Sequence, residues 1–66
     1  MSRIKALRLE ARLSLSHLAR LADLDRATVS KAEKGNLVSE LSMHKMAAAL
    51  SQELERPLAP EDLVAE

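Results

Sequence analysis

LSLSHLARLADLDRATVSKAEKG, residues 13–35, is the stretch on which the reading of this chain turns. Leu18, Ala19 and Ala22 recur at helical spacing, as do Val29 and Ala32 further on, with Leu24 in the corner between the two sets. The spacing predicts two short amphipathic helices joined by a tight turn, the second opening at Asp25 and closing at Gly35. Two helices joined in this way form a helix-turn-helix. Asp25 is expected to cap the second helix by accepting from backbone N–H groups one turn in. Gly35 is expected to take the left-handed conformation that ends it. With Val29 and Ala32 turned inward, Arg26, Ala27, Ser30, Lys31 and Lys34 share the outer face, because residues three or four apart lie one above another on a helix. That face is short and cationic and contains no acid.

The segment DRATVSKAEKG resembles the recognition helix of the lambdoid phage repressor/Cro family, also called the xenobiotic-response-element type. The usual run there is a small polar cap followed by Arg, Ser, Thr, Ile, Ser, Arg, Ile, Glu, Arg, Gly, and most positions agree in identity or character. The upstream LS and LA pairs have the matching spacing. The resemblance implies an all-α, compact four- to five-helix repressor-like DNA-binding domain occupying residues 1–66, with its motif at 14–35. It further implies a sequence-specific regulator of transcription, a repressor that occupies double-stranded DNA as a homodimer. In this family the N-terminal residues of the second helix enter the major groove. Arg26 is then the first candidate for a base contact, bidentate to guanine, with Lys31 next and Ala27 against a thymine methyl. Thr28 and Ser30 would orient on phosphate or adjust the fit, and Lys34 and Asn36 flank the helix end where members contact phosphates. Arg8 and Glu33 stand where the family commonly places a partly buried ion pair, although by residue type alone they read as two solvated charges.

Departures from the family pattern are specific. Leu15 replaces a common Gln that reaches a phosphate, leaving only helix-terminal N–H groups for that contact. His17 replaces a common Glu. Asp23 sits in the turn where many relatives have Gly, and Asp tolerates positive φ better than most residues at a cost of about 1 kcal/mol. Ala32 replaces a larger Ile or Leu, a core shortfall that a flexible Met from the following helix is expected to fill.

Formal net charge is zero, ordinarily an argument against a nucleic-acid partner. Its distribution reverses that argument. Residues 1–34 hold eight bases against four acids, net +4, and residues 35–66 hold two bases against six acids, net −4. The motif lies in the basic half, and the acidic half would face away from DNA. Sixty-six residues make one domain, which buries only about 60% of the surface its unfolded chain exposes. With no cysteine, neither a disulfide nor a thiolate metal site can staple it, so helical packing or dimerisation must. No apolar run approaches the roughly 20 residues of a membrane span, and a cytoplasmic protein is the expectation.

Around the motif, Ile4, Leu7 and Ala11 predict a first helix over Ser2 to Arg12. Ser14 is expected to cap the helix from Leu15 to Ala22, and Ser39 a fourth helix from Glu40 to about Leu50 or a turn beyond. Met43, Met46, Ala47 and Leu50 form the inner face of that fourth helix. Pro57 and Pro60 exclude a continuous helix through the tail. A last helix from Pro60 to about Ala65 fits, with Pro in its first turn and Glu61 and Asp62 near its positive end. Leu54, Leu58, Leu63 and Val64 lack an obvious partner, so the segment 52–66 is either core closure or a dimer contact.

Enzymatic motifs are missing from the sequence: one glycine makes no phosphate loop, and no aromatic side chain is available to stack on bases. His17 has no second ligand at metal spacing, so neither a metal nor a cofactor is expected. A second reading makes the chain an antitoxin-type module, whose acidic half binds a basic toxin partner while its helix-turn-helix regulates its own operon.

Overall fold

Among the described residues, four helices, each stopped by a left-handed residue, build the domain. The computed structural model describes residues 2–64. Helix α1 spans Ile4–Glu10, α2 Leu15–Leu21, α3 Arg26–Glu33 and α4 Glu40–Leu54, followed by a 3-10 turn over Pro60–Leu63. Arg12, Asp23, Gly35 and Glu55 have φ of 60°, 57°, 85° and 54°. In each case the following amide closes back on the helix: Leu13 to the Arg8 carbonyl, Leu24 to Ala19, Asn36 to Lys31 and Arg56 to Ser51. This six-to-one bond satisfies carbonyls left without helical partners and reverses the chain sharply. Asp23 and Gly35 adopt the expected conformation.

The first helix is shorter than the expected Ser2 to Arg12. Arg12 turns left-handed and ends it, and Ser2 lies in an isolated antiparallel bridge with Val64. The Ser2 hydroxyl accepts from the Ile4 amide at 3.1 Å, and the Arg3 amide donates to the Leu63 carbonyl at 2.9 Å. The start of the chain is thereby joined to its tail. Ser14 and Ser39 cap their helices as expected, accepting from the amides of His17 at 3.0 Å and Ser42 at 3.1 Å. Helix α4 runs a full turn past Leu50. The last element is a single 3-10 turn from Pro60 rather than a helix to Ala65, a residue outside those described. Asp62 fixes this turn, its carboxylate accepting from the Ala59 amide at 2.8 Å.

The core is wholly aliphatic: Ile4, Leu7, Leu13, Leu18, Val29, Met46, Leu50 and Leu63 are buried, with Ala19, Ala22, Ala32, Ala47 and Ala49 where helices approach closely. Met46, Ala47 and Leu50 turn inward as expected, and Met43 is half-buried. Three of the four tail residues left open between core and dimer contact belong to the core. Leu63 is fully buried and Leu54 and Leu58 pack against the cluster, while Val64 is exposed. Ser51 ties the tail down, donating to the Leu58 carbonyl and accepting from the Leu58 amide.

Candidate nucleic-acid interface

The helix-turn-helix consists of α2 and α3, with Asp23 and Leu24 making the corner between them. Val29 and Ala32 anchor α3 in the core. The opposite side carries Arg26, Ala27, Lys31 and Lys34, all exposed, with Thr28 and Ser30 half-buried at its edges. Asn36 is exposed just beyond Gly35, its amide committed to the Lys31 carbonyl. The sequence-predicted DNA-contacting residues thus lie on one short helix and its C-terminal turn.

Asp25 behaves differently from expectation. It sits at the N-cap of α3 with extended backbone, but its carboxylate makes no capping bond to a backbone amide. It instead accepts from the Thr28 hydroxyl one turn on. That hydrogen bond, the largest influence on the group, holds its pKa below the ordinary 3.8. Asp25 therefore stays ionised beside the positive end of α3, where negative charge is favoured. Thr28 is correspondingly committed to Asp25 rather than free.

Position of α3 relative to α1 is set by Arg8 and Glu33. Arg8 Nε donates to Glu33 Oε2 at 2.5 Å and Nη2 to Oε1 at 3.3 Å, while Nη1 donates to the Leu13 carbonyl at 2.9 Å. Both side chains are nearly buried, at 12% and 11% exposure. A forked guanidinium–carboxylate contact fixes orientation as well as distance.

Sequence reasoning missed how the charges are shared. Three ion pairs form among the described residues: Arg8–Glu33, Lys45–Asp23 at 3.5 Å and Arg56–Glu10 at 2.5 Å. The acidic half has only two bases, Lys45 and Arg56, and both pair with acids of the basic half. Three of the four acids in residues 1–34 are thus neutralised, and the fourth is Asp25. Arg26, Lys31 and Lys34 take part in none of these pairs. As exposed contacts, the Lys45 and Arg56 pairs contribute little stability, but they offset acids of the basic half, Asp23 in the turn of the helix-turn-helix and Glu10 at the end of α1. No local pattern could have revealed them, since the partners lie 22 and 46 positions apart.

Among the described residues, no group of three His, Asp or Glu side chains is placed to hold a metal ion, and no helix is long and apolar enough to cross a membrane. A family model described as helix-turn-helix matches residues 4–56, which takes in all four helices. No curated protein and no solved structure matches the chain.

Proposed function

We propose that this chain, which belongs to the Cro/C1-type helix-turn-helix family of DNA-binding transcription regulators, recognises one double-stranded operator and acts as a repressor by occupying it as a homodimer. The observation that carries the reading is α3. Its outward side presents Arg26, Lys31 and Lys34, exposed and outside the ion pairs, on a helix whose inward side is locked in the core. Arg26, in the first turn, reaches guanine O6 and N7; Lys31 reaches the next base edge, and Ala27 lies against a thymine methyl. Lys34 and Asn36 face phosphate, and Ser30 and Thr28 adjust the approach. One such helix offers about four reading side chains, too few for selection among the competing sites of a genome, and a two-fold dimer doubles the site. The half-sites would lie roughly 34 Å apart.

Glu40, Glu53, Glu55 and Glu61 are all exposed, which favours a second reading in which the acidic half engages a basic protein, as an antitoxin engages its toxin. Selecting bound duplexes from a random DNA library tests the first reading. A palindrome with guanine at a fixed position in each half supports it. A pool without enrichment removes it and leaves the protein-partner reading, which a basic partner bound in stoichiometric amount would establish.

A further inference from the structure

Among the described residues, three that are not glycine hold the left-handed backbone that ends a helix: Arg12, Asp23 and Glu55. A Cβ is costly in that conformation, and strain of this kind collects at functional positions. Asp23 is accounted for, because a short polar side chain tolerates the conformation and Lys45 reaches both its carboxylate and its carbonyl. Arg12 has neither feature. Its long side chain is exposed and takes part in none of the three ion pairs.

Place separates Arg12 from Glu55. Leu13, the next residue, gives its carbonyl to Arg8 Nη1, the same guanidinium that holds Glu33. The corner after α1 is thereby set beside the last turn of α3. Glu33 shares one stripe of α3 with Arg26 and Ser30, at spacings of four and three, so the corner flanks the recognition helix on the side that carries Arg26. A helix with its side chains is about 10–12 Å across and the major groove about 12 Å wide. With α3 filling the groove, an element that flanks it stands over a phosphate ridge. The other side chains of this corner offer no donor: the Ser14 hydroxyl is engaged by the His17 amide, and Leu15 is a hydrocarbon packed against the core. Glu55 lies across α1, next to the Arg56 that pairs with Glu10, and residues two apart on a helix, as Arg8 and Glu10 are, do not face the same way.

We infer that Arg12 is a further DNA contact, its guanidinium binding a backbone phosphate beside α3, and that this contact is the reason an arginine occupies a left-handed position. A guanidinium grips phosphate through two parallel N–H groups. The contact adds affinity for any duplex and discriminates no base. It rests on the reading of α3 as the helix that meets DNA.

Strain and contact make opposite demands on residue 12, and the test uses that opposition. The full chain and its Arg12→Gly, Arg12→Lys and Arg3→Ala variants are titrated onto the selected operator and onto a scrambled duplex at several salt concentrations, and each is melted without DNA. Arg12→Gly relieves the backbone, so its melting temperature should rise. Its affinity for both duplexes should nevertheless fall, roughly fivefold at about 0.15 M salt, and the log–log salt slope should shrink by about 0.9. Arg12→Lys should keep most of that slope. Arg3 acts on the Glu10 carboxyl, on the other side of α1, so Arg3→Ala removes the same charge and should leave the slope unchanged. An Arg12→Gly chain that binds like the wild type, or that loses melting temperature together with affinity, overturns the inference; so does an Arg3→Ala chain that matches its loss. If the wild type binds operator and scrambled duplex equally, the operator reading fails while the slopes on scrambled DNA still decide Arg12. A wild type that binds neither duplex overturns both.

Discussion

Arg8 and Glu33, 25 positions apart in the chain, meet in a two-pronged ion pair that fastens the first helix to the helix carrying Arg26 and Lys31. The third prong of Arg8, on the Leu13 carbonyl, holds the end of α1 in the same junction. A side chain with five donors in a rigid fork serves three acceptors here; a lysine, offering a single point charge, cannot.

Replacing Arg8 by Ala should destabilise the domain by about 3–5 kcal/mol, because it strands a nearly buried carboxylate. That is a large part of the total expected of a small domain. Arg8→Lys should recover only part of the loss. Thermal unfolding decides it: an unchanged melting temperature in Arg8→Ala would show that the pair contributes nothing.

Arg26→Ala and Lys34→Ala should differ in kind rather than in size. Loss of Arg26 removes discrimination at one base pair, about 1–3 kcal/mol, whereas loss of Lys34 weakens all duplexes alike and reduces the salt slope by about one unit. Affinities measured on a panel of single-base operator variants at several salt concentrations separate the two. Uniform losses in both mutants would contradict the division into base and phosphate contacts.

Glu55→Gly should stabilise the fold. Glu55 is exposed and left-handed, a conformation that costs a non-glycine residue about 1–2 kcal/mol, and glycine's extra unfolded-state entropy returns only part of that. A rise of a few degrees in melting temperature is expected for a net gain of about 0.5–1 kcal/mol in a domain of this size. Gly35→Ala should move it in the opposite direction.

Acid should weaken the chain partly through Glu10. The hydrogen bonds from Arg56 hold the Glu10 carboxyl below its ordinary 4.5. A carboxylate whose pKa is depressed on folding adds stability that is fully present above 4.5 and is lost as pH falls through its lower folded value. The pair is exposed, so the contribution is small. Denaturant midpoints followed from neutral pH down past 4.5 should fall less steeply in Glu10→Gln than in the wild type.

The helix starts at Ser14 and Ser39, the stop at Gly35, the core faces of α3 and α4 and the family itself were legible because each rests on residue type at short range. A serine before an apolar repeat or a glycine after one carries its own physical reason. Arg12 and Glu55 ended helices without a signal, since neither type favours a left-handed backbone and packing imposes it. The choice between core closure and a dimer contact for the tail was not legible for a related reason. Leu63 has no helical repeat around it, and only the return of the chain to Ser2 and Ile4 reveals it as core. At the interface the exposed cations of α3 followed from periodicity. The Thr28 hydroxyl takes the Asp25 carboxylate that residue type alone assigns to a backbone cap. The pairing of Lys45 and Arg56 with distant acids depended on the finished fold.

The measurement that bears most directly on the central claim is the ratio of affinities for the selected operator and for a scrambled duplex of equal length, at about 0.15 M salt. Recognition through Arg26 and Lys31 on two half-sites predicts a ratio of at least ~10³, collapsing toward one in Arg26→Ala Lys31→Ala. Equal binding of the wild type to both duplexes would contradict the account.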